Sequence, residues 1–401
     1  MEITTQVLPE QSIRPPQKRI AELFILGNHI QALGLARMAA KIGLRVTVFN
    51  AYAASVARFS RACDSFVRYR DDDHLLELLL GQPGPRDTLL VATNDQLVKF
   101  MSDHYQALRE QYFLSIPKPE TVQICYNKRD TYRLAAELKI PIPDTWFPDS
   151  REELEVLADQ VAYPVILKPA VMYTFHQATG KKVFFCRGRE ELMANYDRIR
   201  KIIPAEEVIL QQFLKGGAAS LYSFGNFFAE GEALGSLIAN RIRQKPMDFG
   251  VSTCFARTVL NPTIERLSVK LLRSIGYFGM SEVEFMYDEE RGEYLLLEVN
   301  PRAWKWHSIA NKLDINLLGM MVTHLNGLPV ERHANHIAGV GWIERLTDTY
   351  VCAGELLRGR MSWKEYRQTL RMPKESAAWS WKDPLPGIMY ILMSPYLLLK
   401  R

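Results

Sequence analysis

Glu284, Glu298 and Asn300 carry the clearest chemical potential in this 401-residue chain. Ser281–Tyr287 reads as a strand, Asp288-Glu289-Glu290-Arg291-Gly292 as a turn and Glu293–Asn300 as a returning strand, so an antiparallel hairpin is expected. Alternation along a strand puts Glu298 and Asn300 on one face. Glu284 sits opposite at mid-strand, within a direct or diagonal cross-strand pair. Two carboxylates and an amide oxygen on one spot repel unless a cation lies between them. All three donors are hard oxygens, which suits magnesium when nucleotide phosphates and water complete its octahedron. Arg302, just beyond Pro301, is placed to hold a reacting phosphate or carboxylate bidentately. A competing reading makes Glu282, Glu284 and Glu298 a solvated outer face, whereas the apolar run Leu295–Leu297 suggests a buried strand.

Cations stand upstream. Tyr163-Pro164-Val165-Ile166-Leu167-Lys168-Pro169 is a strand ending in a lysine, which is costly to bury without an anion to pair with; phosphate is a natural partner. Lys128 precedes the helical run Thr131–Leu138, where free N–H groups and a cation converge on one point. An exposed Lys-Arg pair at a helix start is equally an ordinary solvated feature. Val208–Phe213 is a further strand, whose end could read an adenine edge between apolar neighbours or could be a plain strand and glycine turn.

Taken in order, these stretches resemble the ATP-grasp superfamily. The resemblance rests on a preceding α/β unit, a lysine before a helix ending in Lys139-Ile-Pro-Ile-Pro143, and Pro164-Val-Ile-Leu-Lys-Pro169. The strand with Gln211-Gln212-Phe213 and the run Glu298-Val-Asn-Pro-Arg302 complete it, so that it spans roughly residues 20–325. Lys168-Pro-Ala-Val, Ala178-Thr-Gly-Lys-Lys182 and Asn300-Pro-Arg-Ala-Trp304 look like the D-aspartate ligase branch of the carboxylate–amine ligases. The resemblance implies that Lys128 and Lys168 contact ATP phosphates and adenine, with Lys182 in a loop closing over the triphosphate. It makes Gln211, Gln212, Phe213 and Leu214 the adenine hinge, and Glu284, Glu298 and Asn300 the holders of Mg2+, for which Mn2+ can substitute. Arg302 would steady an acyl phosphate. Arg241 and Arg243, with the following stretch Asp248–Thr253, look like the family's basic strand and substrate-side loop, whose guanidinium groups would stabilise the transferring phosphoryl group. Two departures stand out: no ribose-binding acid in Lys215–Ser220, and an aromatic, glycine-poor Met172–Gly180 where the family covers the phosphates.

The elements that must position these residues are legible in outline. Leu23–Leu26, Gly27, a helical run Ala32–Ile42 and Arg45–Asn50 form a βαβ opening. It lacks G-x-G-x-x-G and a terminal acid, so a dinucleotide site is rejected. Another strand, Thr88–Ala92, ends at Asn94-Asp95, which is either a helix cap or a ligand site at a strand's carboxyl end. The expected organisation is a tail (1–20), a parallel α/β domain preceding the ATP-grasp part (21–118), and a two-lobed ATP-grasp domain with antiparallel sheets (119–330, divided near 212). A C-terminal extension (331–401) follows.

The five cysteines form no CxxC or Cys/His cluster and point to a reduced, cytosolic chain. No secretory signal or anchor is read in the first twenty residues. Residues 351–401 hold nine Lys/Arg against four acids, which accounts for the whole net charge of +5. Gly387–Leu399 is too short to span a bilayer. With two tryptophans and a terminal Lys-Arg, it suggests a segment lying on an anionic membrane surface, or one docked on the catalytic core. The expected function is ATP-dependent, Mg2+-dependent joining of a small carboxylate, such as an amino acid, to an amine through an acyl phosphate. The expected place is the cytoplasm, extending to the inner face of the membrane and a lipid-linked acceptor. Another ATP-grasp outcome, carboxylation or carboxylate phosphorylation, and a non-catalytic nucleotide-binding scaffold are the alternatives. Nucleic acid is not an expected partner, because the basic tail forms no recognisable module.

Overall fold

The computed structural model describes residues 19–81, 87–171, 175, 178–180, 182–247 and 252–394. The expectations for most of the N-terminal tail, for much of Met172–Gly180, for 248–251 and for the last seven residues lie outside these. Strands β1 (Glu22–Leu26), β2 (Arg45–Asn50), β3 (Ser65–Arg68), β4 (Thr88–Ala92) and β5 (Phe113–Leu114) form a parallel sheet ordered β3-β2-β1-β4-β5. Apolar side chains fill both faces of its central strands, as a sheet covered on both sides requires. The first turn needs a glycine: Gly27 has φ +115°, and a Cβ there would fall 2.0 Å from the Thr93 hydroxyl.

A four-stranded antiparallel sheet follows, ordered β6-β9-β7-β8, from β6 (Thr145–Trp146), β7 (Val165–Pro169), β8 (Phe184–Cys186) and β9 (Val208–Gln212). The largest sheet has eight strands: β10 (Leu221–Ala229), β11 (Glu232–Lys245), β12 (Ser252–Val259), β13 (Gly279–Asp288), β14 (Glu293–Asn300), β15 (His333–Ala334), β16 (Gly341–Ile343) and β17 (Lys374–Ser376). Its order is β14-β13-β10-β11-β12-β16-β17, with β15 beside β11. The fold is thus mixed α/β, parallel at the N-terminal end and largely antiparallel elsewhere. The region after residue 330 adds the short strands β16 and β17 to the edge of the large sheet.

One apolar core joins the parallel sheet to the large one. Leu33, Leu35 and Met38 of the helix His29–Ala40 share it with Phe227, Trp304, Trp306 and Trp342. Trp304 packs against the backbone of β10 at Gly225, where a Cβ would fall 2.0 Å from its ring. That contact fixes the segment immediately after Arg302. The C-terminal helix Leu385–Leu392 is docked through Pro386, Gly387 and Tyr390, and Asp383 accepts bonds from Arg37 Nε (3.0 Å), Ser60 Oγ (2.6 Å) and the Arg61 amide (3.1 Å). Among the described residues no helix is long and apolar enough to cross a membrane.

Candidate functional site

The hairpin β13–β14 forms as its alternation predicts, with Glu282 paired to Asn300 and Glu284 to Glu298, and a bulge beyond that pair. Glu282, Glu284 and Asn300 are buried and Glu298 is about one-third exposed, so this is not a solvated face. Asn300 Nδ2 donates to Glu284 Oε1 at 3.0 Å and to Glu282 Oε2 at 3.3 Å. Arg241 donates to Glu284 Oε2 at 2.9 Å, and Lys128 Nζ to Glu298 Oε2 at 2.6 Å.

The electrostatics follow from this crowding. Lys128 holds the Glu298 carboxyl well below its usual range against the opposing effect of burial. Burial also pulls on Lys128, yet Glu298 outweighs it and keeps the lysine protonated. Burial, with Glu284 beside it, pushes Glu282 up to about 8. Its Oε1 is buried without a well-formed hydrogen bond among the described residues.

The second wall comes from the four-stranded sheet. Lys168, at the end of β7, donates to the Tyr132 hydroxyl and to Gln211 Oε1, each at 2.7 Å, and burial lowers its pKa. Tyr132 in turn donates to the Leu297 carbonyl at 2.7 Å, tying this wall to the hairpin. The helix Lys128–Glu137 begins at this seam, with the Lys128 amide donating to the Ala170 carbonyl. Gln212 is held by Arg291 at 2.9 Å. Phe213 meets Phe185 edge to face, and Leu214 is half-buried beside them, so a polar strand end has apolar walls. Lys182 is exposed, and its charge acts on Glu298.

Arg302 is held across the molecule. Its Nε and Nη2 meet both oxygens of Asp95 at 2.7 and 3.1 Å, and Nη2 also reaches Asn300 Oδ1 at 3.2 Å. Asn94 is the helix cap, bonding the Leu97 amide, while Asp95 engages Arg302. Asp95, read from the sequence as part of a helix cap or strand-end ligand site, completes the cluster together with Tyr132 and Glu282, which the sequence does not single out for it.

Arg243 is the correction. It was grouped with Arg241, but register shifts between Arg241 and Gln244 break the alternation of β11. Its guanidinium lies over the Phe255 ring and grips Asp348 at 2.6 and 3.0 Å, away from the hairpin carboxylates.

The donor set suits a hard divalent cation. Glu284 and Glu298 face each other, Asn300 can turn its oxygen inward, and Glu282 keeps an unsatisfied oxygen. Among the described residues no three acidic, histidine or cysteine side chains already form a metal cage.

The family described as the carbamoyl-phosphate synthase L chain, ATP binding domain, matches residues 239–323, a span that contains Arg241, both hairpin strands and Arg302. This match and the likenesses that follow support the ATP-grasp superfamily of carboxylate–amine ligases. It is 24% identical over 300 residues to the formate-dependent phosphoribosylglycinamide formyltransferase of Sulfurisphaera tokodaii, covering 73% of this chain and 72% of that enzyme. It is 27% identical over 224 residues to the D-aspartate ligase of Enterococcus faecium, a match spanning about half of each (53%). The biotin carboxylase domain of the Hydrogenobacter thermophilus 2-oxoglutarate carboxylase superposes with a TM-score of 0.62 at 15% identity, over 80% of this chain and 73% of that domain. This last likeness is one of ATP-grasp fold.

Proposed function

We propose that this ATP-grasp protein joins a carboxylate, an amino acid in the finer reading, to an amine through an acyl phosphate. The observation that supports this best is the convergence of Glu284, Glu298, Asn300 and Arg302 with Lys128 and Lys168 between two sheets. In the first step a carboxylate oxygen attacks the γ-phosphorus of ATP and ADP leaves. In the second an amine attacks the acyl carbon, phosphate departs, and the amine nitrogen loses a proton. Both steps depend on positioning and on neutralising charge, with no need for a nucleophilic side chain.

Lys128 and Lys168 contact the ATP phosphates and adenine, Lys182 lies in the loop closing over the triphosphate, and Gln211, Gln212, Phe213 and Leu214 form the adenine hinge. Arg302 orients the carboxylate and then the acyl phosphate, braced by Asp95. Arg241 meets the negative charge that develops on the transferring group. Glu284, Glu298 and Asn300 would hold Mg2+, or Mn2+ in its place, which supplies charge neutralisation at the phosphates. The finer reading of place is a peripheral position on an anionic membrane, facing a lipid-linked acceptor.

The test is ADP release with Mg2+-ATP against pools of amino acids and other carboxylates, with and without added amines. The expected result is release that depends on both partners and falls about a hundredfold or more in Glu298→Ala. Release driven by bicarbonate, or by a carboxylate with no amine incorporated, would redirect the assignment to a carboxylase or a carboxylate kinase.

A further inference from the structure

Of the seventeen large apolar side chains exposed among the described residues, ten lie between 346 and 392, so the unexplained apolar surface is concentrated at the C-terminal end. The helix Leu385–Leu392 shows how it is arranged. Pro386, Gly387 and Tyr390 face the protein, while Leu385, Ile388, Ile391 and Leu392 form a stripe on the other side, the last two 58% and 67% exposed. Trp381, just before the helix, is 86% exposed. An apolar stripe on a docked helix is the pattern of a segment that lies in a membrane interface.

Charge is sorted on the same region. Of the four acids after residue 350, Asp383 is buried on Arg37 and Ser60, Glu355 is buried against Arg358 and Arg360, and Glu375 is partly buried near Asn311. Glu365 alone of the four is exposed, and it is tied into the capping box of its own helix. Arg358, Arg360, Lys364, Arg367, Arg371 and Lys382 are all exposed. Outward-facing charge after residue 350 is therefore mostly positive, whereas Asp71, Asp72 and Asp73 are exposed just beyond Arg70.

A cavity of about 780 Å3 adjoins the helix end. It opens at the carboxyl ends of β2 and β3, and its lining includes Tyr52, Arg68, Tyr69, Arg70, Leu392 and Met393. Two arginines and two tyrosines beside an apolar helix end suit a phosphate group whose hydrocarbon continues along the stripe.

We propose that the stripe of the helix Leu385–Leu392 and the adjoining Arg68/Arg70 cavity together dock this protein on an anionic phospholipid bilayer, the cavity receiving a lipid headgroup phosphate. This rests on the membrane-side placement proposed above and gives it a surface and a headgroup site. The docked helix leaves the hairpin carboxylates on other elements, so docking and ATP turnover are separable.

The test is co-sedimentation of the full chain with vesicles of equal parts phosphatidylglycerol and phosphatidylcholine, against phosphatidylcholine alone. Binding is expected on the anionic vesicles only and is expected to weaken as salt rises from about 0.1 to about 1 M. The double variants Arg68→Gln/Arg70→Gln and Ile391→Ser/Leu392→Ser should each bind about tenfold more weakly, with ADP release from soluble substrates unchanged. Equal binding to both vesicle types, or binding unaffected by the variants, would overturn the proposal. So would a concentration-dependent dimer that the Ile391→Ser/Leu392→Ser variant abolishes, since a second copy would then cover the stripe. Vesicle binding without ATP turnover would sink the ligase reading and leave this one standing; turnover without vesicle binding would do the reverse.

Discussion

Arg241 and Arg243 stand two residues apart on β11, both ion-paired, and their surroundings have opposite character. Arg243 is sealed: two of its nitrogens grip both oxygens of Asp348, Thr369 accepts a further bond at 3.3 Å, and the Phe255 ring covers the guanidinium. Nearby, Glu344 is buried against Lys305, Thr347 and Tyr390, a set of contacts that links the C-terminal region to the core. Arg241 gives a single hydrogen bond to Glu284, and its own Nε is buried without a partner among the described residues. Glu282 next to it keeps an orphaned oxygen and an elevated pKa. The comparison teaches that ion pairs of the same type can be finished or unfinished. Unfinished ones, where burial is already in place but hydrogen bonds are missing, mark where a ligand completes the set.

Replacing each arginine by lysine keeps the charge and removes the planar fork, so it separates the two roles. Arg241→Lys should lower kcat about a hundredfold with the urea midpoint nearly unchanged, because one nitrogen suffices for Glu284. Arg243→Lys should do the reverse, losing about 2–3 kcal/mol of stability as buried charge-assisted bonds go unmade, with kcat per folded molecule kept. If both variants lose stability and neither loses turnover, the distinction between the two regions fails.

Asp95 tests whether the unfinished region extends to the parallel sheet. Asp95→Asn keeps the shape but drops the charge and one acceptor from the Arg302 brace. It should lower kcat about tenfold, the cost of a mispositioned guanidinium, while leaving nucleotide affinity alone. A lower KM for the carboxylate with unchanged kcat would instead make Asp95 a competitor for the Arg302 fork.

The hairpin cluster was legible because its information is local. Alternation alone sets Glu284 against Glu298, and a lysine closing an apolar strand signals its own need for an anion. Tyr132 was not legible as a site residue, and Asp95 only as half of a strand-end pair that could equally cap a helix, since their partners Leu297 and Arg302 lie 165 and 207 residues away and no periodicity spans that distance. Glu282 was visible only as part of a face, and burial decides whether a face is solvent or site. Arg243 was misplaced because a bulge leaves no mark in composition, and one extra residue redirects a side chain. The strands β16 and β17, three residues each, are too short for any pattern, yet they make the C-terminal region part of the large sheet.

The seam between the parallel sheet and the Trp304 segment can be attacked through protonation, which gives the most specific effect. His307 is fully buried against Gly34, where a Cβ would fall 2.7 Å from its Nε2, and its Nδ1 lies 2.6 Å from the Trp304 carbonyl. Burial pushes its pKa down to about 4 from an ordinary value of 6.5. The unfolded chain therefore binds a proton between those values while the folded chain does not. Stability is complete above the unfolded pKa of about 6.5, declines as pH falls, and stops declining near the folded value of about 4, with a total loss of up to about 3 kcal/mol. His307→Gln should flatten that slope in urea midpoints measured across this window. The slope should persist in Arg243→Lys, since that variant leaves the imidazole buried. Because the raised Glu282 carboxyl gives a slope of opposite sign in part of this window, the reading is the difference between wild type and His307→Gln; identical slopes in the two would mean the imidazole finds water or a counter-charge.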